Sequence, residues 1–179
     1  MRKIICVIGE PGVGKTTIFR NFMDFYDWED QEPVKLVNTK YSEELNLHII
    51  GKYEEGEVFA GTDRLSMAVM PEAIKFIGET SSNVMFEGDR LTSTKFFDFL
   101  LTLPETEVSI LVITAPQTIM NERYEERGSN QSETFLKGRK TKINNIRGNL
   151  DYMTHIEVFE NKDATDMYTI INKIKSLLI

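Results

Sequence analysis

Nine consecutive residues, GEPGVGKTT from Gly9 to Thr17, constrain this chain more than any others. A short apolar run, Ile4-Ile5-Cys6-Val7-Ile8, precedes them, and an amphipathic stretch opens at Lys15. A glycine, four residues and then Gly-Lys-Thr is the spacing of a phosphate-binding loop between a strand and a helix. The glycines let backbone N–H groups turn toward phosphate oxygens, and the following helix aims its positive end at the same anion. Lys15 is placed to reach the β- and γ-phosphates, and the Thr16 hydroxyl to ligate Mg²⁺. The candidate nucleotide contacts are Gly9, Pro11, Gly12, Val13, Gly14, Lys15, Thr16 and Thr17.

The 179 residues suffice for one domain with a real core, expected to span 1–179. No apolar run approaches the roughly 20 residues that cross a bilayer, and no secretory signal is expected. Cys6 is the single cysteine, so no disulfide framework is expected and core packing is its role. A cytoplasmic protein with no membrane partner is the expectation. The net charge of −7 argues against a protein that coats nucleic acid. The charge is uneven, however. Acids cluster at Asp24–Glu32 and at Glu43–Glu57, whereas Thr134–Leu150 has none and carries Lys137, Arg139, Lys140, Lys142 and Arg147.

Periodicity predicts the remaining elements. Ile18, Phe19, Phe22, Met23 and Tyr26 mark the first helix; Val34–Val37 and Leu45–Tyr53 read as strands; 56–67 is a loop turning at Gly61. A helix carries Met70, Ala73, Ile74 and Ile77, and a strand covers Asn83–Phe86. Thr92 or Ser93 caps a helix that turns Phe96, Phe97, Leu100 and Leu101 inward. The β-branched run Val108–Ile113 is a strand covered on both faces. A helix near Pro116, a turn over Arg127–Ser132 and a helix weakened at Gly138 follow. The strand Ile156–Phe159 and a helix from Met167 to Leu177 close the chain. Strands alternating with helices imply a parallel α/β sheet with both faces covered.

In such sheets ligands bind beyond the carboxyl ends of the strands. The phosphate loop, Thr62-Asp63-Arg64 and Glu87-Gly88-Asp89-Arg90 should meet there. A phosphotransferase needs a carboxylate for the acceptor and arginines for the charge on transferring oxygens. Asp63 and Asp89 are candidates for the first role; Arg64 and Arg90 for the second. Asp89 and Glu87 compete to orient the metal beside Thr16. Arg123 and Arg127, with the cations beyond them, form a candidate lid at 123–142. Alternatively, Lys137, Lys140 and Arg147 track a nucleic-acid backbone. Asn161 borders the nucleotide base or caps a helix. It does not belong to the guanine-reading motif of GTPases, because position 164 is Ala where that motif needs Asp.

With these residues in view, the chain resembles the small phosphate-loop kinases of nucleosides, nucleotides and related hydroxyl acceptors. The loop at Gly9–Thr16, EGDR at Glu87–Arg90 and the arginine-bearing segment Arg123–Arg139 carry the likeness. It implies a three-layer P-loop NTPase fold with a five-stranded, mostly parallel sheet of order 2-3-1-4-5, a lid, ATP and Mg²⁺. GTDRLSM, EGDRL and RGSNQSETFLKGRKTK are most similar to phage kinases acting on 5-hydroxymethyluracil in DNA. Leu91 after Arg90 departs from the Asp-Arg-Tyr signature of thymidylate kinases, and the adenylate kinase lid pattern is missing. A kinase is the leading expectation. An NTPase switch, or a nucleotide-binding regulator without chemistry, fills fewer of the catalytic roles.

Overall fold

A computed structural model describes all 179 residues. Its central strand is β1 (Arg2–Ile8), where strict alternation divides the apolar side chains between two layers. Ile4, Cys6 and Ile8 face one hydrophobic core, and Ile5 and Val7 face the other. The next four strands in the chain are β2 (Glu29–Val34), β3 (Val37–Ser42), β4 (Leu47–Ile50) and β5 (Asn83–Glu87); β6 (Thr106–Thr114) and β7 (Ile156–Glu160) follow. They form a seven-stranded sheet of order β2-β3-β4-β5-β1-β6-β7.

The expected five strands in order 2-3-1-4-5 are thus corrected in number and order. The five strands β4, β5, β1, β6 and β7 are mutually parallel, and taken alone they run in that order. The sequence reading missed an antiparallel extension in which β3 pairs with β4 and β2 with β3. The strand expected at Val34–Val37 is instead split by the two-residue turn Lys35-Leu36 between β2 and β3, with Leu36 at a φ of 71°. β2 has no buried residue, so it carries none of the apolar alternation by which strands are read.

Helices cover both faces. α1 (Lys15–Met23), α4 (Gln117–Arg127) and α6 (Ala164–Leu177) pack Ile18, Phe19, Met120, Ile170 and Ile174 against one face. α2 (Val69–Glu79), α3 (Thr94–Leu101) and α5 (Glu133–Arg147) cover the other with Ala73, Ile77, Phe96, Leu100, Ile143 and Ile146. Local chemistry sets their starts: Ser93 accepts from Phe96 N–H and Ser132 from Phe135 N–H, both at 3.1 Å. Between α5 and β7, Tyr152 is fully buried and donates to Asp98 at 2.7 Å. No helix is long and apolar enough to cross a membrane.

Because β4, β5, β1, β6 and β7 are parallel, the segments after their carboxyl ends collect along one edge. Parallel pairing of Val7 with Glu87 sets the end of β5 beside the start of the phosphate loop. α5 runs unbroken through Gly138, and a methyl group added there would meet nothing within 4 Å. Gly138→Ala should therefore stabilise the protein by about 0.5–1 kcal/mol. Denaturant unfolding checks this through a raised midpoint at unchanged slope.

Candidate active site

The phosphate loop is held from outside by its own carbonyls. Lys15 Nζ donates to Gly9 O at 2.8 Å and to Glu10 O at 3.1 Å. Tyr124 Oη donates to Pro11 O (2.6 Å), Arg123 to Gly12 O (2.9 Å) and Asn161 Nδ2 to Val13 O (2.8 Å). Gly12 and Gly14 sit at φ of 87° and 95°, a region glycine enters without steric penalty. They also leave no room for a side chain: a Cβ would lie 2.7 Å from the Tyr124 ring and 2.6 Å from Asn161 Nδ2, respectively. Val13 is fully buried beneath the loop. The first amides of α1 have no carbonyl partner within the helix and remain for an anion.

Glu87, the last residue of β5, is 98% buried beside this loop, being 2% exposed. Thr16 Oγ1 donates to its Oε1 at 3.2 Å, and Tyr53 Oη donates to the same oxygen at 3.0 Å. Burial raises the Glu87 carboxyl to about 7, while the Lys15 charge pulls it down. Burial also lowers the Lys15 ammonium, opposed by the charges of Glu87, Asp63 and Asp89. The acid nearest Thr16 is therefore Glu87. Mg²⁺ is commonly bound by one or two protein oxygens together with phosphates and water. Thr16 and Glu87 fit that pattern, and no group of three or more acid, His or Cys side chains forms a self-sufficient metal cage.

Asp89 has other partners. Its Oδ2 pairs with Arg139 at 2.7 Å and its Oδ1 with Lys142 at 2.9 Å, which ties the end of β5 to α5. Asp63 lies in a 3-10 turn at Thr62–Arg64, and its Oδ1 accepts the N–H groups of Asp89 (2.9 Å) and Arg90 (3.1 Å). Arg90 returns a hydrogen bond to Asp63 O at 3.1 Å, while its Nε is buried without a partner. The two Asp-Arg segments predicted to meet are thus stitched to each other.

A cleft of about 390 Å³ runs from the phosphate loop past these groups. Gly9, Pro11, Gly12, Gly14, Lys15, Thr16 and Thr17 line one end. Asp63, Glu87, Asp89, Arg90, Arg127 and Arg139 line the rest, together with Val58, Phe59, Gln131 and Phe135. Arg64 is not brought in; it pairs outside with Glu54 and Glu57 at 3.6 and 3.4 Å. Arg123 supports the loop and also donates to Asn161 O, so it belongs to the base of the site rather than to a lid. Asn161 does not cap α6, a task done by Asp163. Of the basic run, Arg139 and Lys142 turn toward Asp89, while Lys137, Lys140 and Arg147 remain exposed. Arg123, Arg127 and Asn161 border a second cavity of about 400 Å³ with Asp163 and Met167, on the other side of Gly12 and Gly14. Sequence reasoning missed Tyr53 and Tyr124, whose hydroxyls reach Glu87 and the loop across 34 and 113 residues.

The family model described as P-loop Nucleotide Kinase3 matches residues 1–172. The chain belongs to this family. It is accordingly a P-loop kinase, an ATP-dependent phosphotransferase whose family typically uses Mg²⁺. Among solved structures, a gluconokinase from Sinorhizobium meliloti 1021 is similar with a TM-score of 0.51 at 16% identity, over 99% of this chain and 93% of that one. A sugar kinase from Janibacter sp. HTCC2649 is similar with a TM-score of 0.52 at 17% identity, over 99% and 95%. At these identities the likeness is one of fold. No curated protein matches the chain.

The Glu87 environment gives a pH signature in the ligand-free kinase. Its folded pKa of about 7 lies above the ordinary value of 4.5. Stability from this group is fully present below about 4.5, falls as pH rises toward 7, and is flat above. The fall should be on the order of 3 kcal/mol. Urea unfolding of wild type and Glu87→Gln from pH 5 to 8 checks it: the stability of the wild type relative to the variant should decline with rising pH.

Proposed function

We propose that this P-loop kinase transfers the γ-phosphate of ATP to a hydroxyl of a nucleotide-type acceptor bound beside Asp63 and Arg90. One observation carries the reading: the Thr16–Glu87 pair at the loop opens into the same cleft as Asp63, Arg90, Arg127 and Arg139. A donor site and a set of acids and cations suited to an acceptor therefore share one cleft, as in-line transfer needs.

Within this reading Lys15 and the α1 amides hold the triphosphate, and Thr16 with Glu87 orients the Mg²⁺. Bound Mg²⁺ would supply charge neutralisation between phosphate oxygens. Asp63 serves the acceptor. Its Oδ1 is occupied by two backbone donors, which fixes the side chain, while no hydrogen bond is made to its Oδ2. Asp89 is instead the anchor of α5, because both its oxygens are already paired with cations. Arg90 and Arg127 neutralise phosphoryl charge from two sides of the cleft. The segment from α4 to α5 acts as the lid, with Arg139 already held at the cleft by Asp89.

A nucleic-acid acceptor, 5-hydroxymethyluracil in phage DNA being the candidate raised by resemblance, is the second reading. Lys137, Lys140 and Arg147 are spaced three and seven residues apart on the exposed side of α5, with no acid in that helix after Glu133. A phosphate backbone fits such a stripe. A free nucleoside or nucleoside monophosphate is the acceptor in the alternative.

The acceptor panel tests both. Labelled ATP with nucleosides, monophosphates and hydroxymethylated DNA should label at least one of them; release of free phosphate alone with every compound would overturn the kinase assignment to this acceptor class. Asp63→Asn should lower kcat by about 10²–10⁴ with ATP KM nearly unchanged. Asp89→Asn should have the smaller effect on kcat. For the DNA reading, the triple change Lys137→Ala, Lys140→Ala and Arg147→Ala should reduce the salt dependence of DNA binding. An unaltered salt slope removes that reading and leaves the free acceptor.

A further inference from the structure

Glu87 is held asymmetrically. Two hydroxyls, Tyr53 Oη at 3.0 Å and Thr16 Oγ1 at 3.2 Å, both donate to its Oε1. No hydrogen bond is made to its Oε2, although the residue is buried and lines the cleft. A carboxylate has about four acceptor positions on its two oxygens, and burying one is costly unless they are filled. Donors that served only to satisfy this acid would be shared between its oxygens. Here they converge on one, which fixes the carboxylate plane and leaves the other oxygen to a group from outside the chain.

Tyr53 is built to hold that position. It is 6% exposed, and its ring lies nearly parallel to that of Phe19, at 16° with centroids 6.1 Å apart. The Arg20 guanidinium sits 5.9 Å from the centroid of the same ring. Phe19 and Arg20 belong to α1, the helix that also carries Thr16, so one element places both hydroxyl donors. The chain after Tyr53 then returns to the same acid. Lys52 and Gly61 exchange two backbone hydrogen bonds, of 3.1 and 2.8 Å, which close 53–60 into a loop. Gly61 has a φ of 76°, and a Cβ there would lie 2.2 Å from Glu87 Oε1. Thr62 Oγ1 next donates to Glu87 O at 2.8 Å. Arg20 holds the loop between these ends, donating to Glu54 O at 3.0 Å and Glu57 O at 3.2 Å. Both ends of the loop therefore bear on Glu87, one on its carboxylate and one on its backbone.

We propose that Tyr53 is a positioning residue for phosphoryl transfer, which acts through Glu87 by holding Oε1 so that Oε2 is left for the metal. The proposal rests on the reading of Thr16 and Glu87 as the pair that orients Mg²⁺, and it adds the group that sets their geometry. Hydrogen bonds to the groups around a metal fix their orientation, and losing one typically costs roughly 10- to 100-fold in metal affinity or activity. Tyr53 is not among the residues lining the cleft, and its hydroxyl has no hydrogen-bond partner other than Glu87. Its influence on the reaction therefore passes through that one carboxylate.

Mn²⁺ binding followed by electron paramagnetic resonance tests the role, with Mn²⁺ as the probe ion and a non-hydrolysable ATP analogue bound. The proteins are wild type, Tyr53→Phe, Glu87→Gln and the double variant. Tyr53→Phe keeps the ring against Phe19 and Arg20 and removes only the hydroxyl. Its affinity for the analogue in EDTA should equal that of wild type, which shows that the fold and the phosphate loop are intact. The Mn²⁺ affinity of its analogue complex should fall about tenfold or more. In the Glu87→Gln background the same change should alter Mn²⁺ affinity by less than about twofold, because the residue acts through that carboxylate. A Tyr53→Phe affinity for Mn²⁺ within about twofold of wild type, while Glu87→Gln lowers it, overturns the positioning role alone. Equal losses with Mn²⁺ and in EDTA also overturn it, since they mark a hydroxyl that only supports the fold. A loss as large in the Glu87→Gln background as in wild type does the same. Unchanged Mn²⁺ affinity in Glu87→Gln removes the metal role of that acid and the proposal with it. No acceptor enters these measurements, so the acceptor class can be wrong while Tyr53 keeps its role.

Discussion

The loop carbonyls of residues 9 to 13 are all occupied, and the site depends on that. Lys15, Tyr124, Arg123 and Asn161 supply donors to five consecutive carbonyls. A peptide whose oxygen is fixed outward has its plane fixed as well, so the orientation of the loop no longer depends on an anion to impose it. This is preorganisation paid for in folding rather than in binding. It also explains why strands and helices far apart in sequence matter to one short loop. Tyr124 and Arg123 come from α4, and Asn161 follows β7, so the loop keeps its shape only if the sheet is complete out to its last strand.

A second dependence runs through the end of β5. Glu87 faces Thr16 and Tyr53, and the next residues connect to Asp63 by backbone hydrogen bonds and to α5 by ion pairs. One strand end therefore joins the phosphate loop, the Asp63 turn and the covering helix. These surface-facing ion pairs are individually weak contributors to stability. Their value here is geometric: they set where Arg139 stands.

Much of this was legible in the sequence because its signals are local. The phosphate loop is a fixed spacing; the serine caps at Ser93 and Ser132 and the buried runs of β1 and β6 are short-range patterns. Glu87 and Asp63 were legible as candidates because a strand end or turn places them. What was not legible is partnership. Tyr124 and Asn161 reach carbonyls 113 and 148 residues away, and any residue offers a carbonyl, so the sequence holds no mark of which one is used. Asp89 looked like a metal-orienting acid from its position, but its neighbours in space are two cations from α5. The β2–β3 hairpin was hidden for a different reason. Its outer strand, EDQEPV, buries nothing and so lacks the periodicity that reveals a strand.

That outer strand has a further consequence, for how copies of the protein meet. A sheet's free edge invites another chain to add a strand, and acids and proline on the edge oppose it. β2 presents Glu29, Asp30, Glu32 and Pro33 there, in a sheet whose opposite edge is β7. The hairpin therefore shields the parallel core on that side: β4, which would otherwise be the edge, is paired, and the strand exposed in its place repels its own copy by charge. Sheet-to-sheet self-association is thereby disfavoured at this end of the molecule, at some distance in the sheet from the strand ends that open into the cleft.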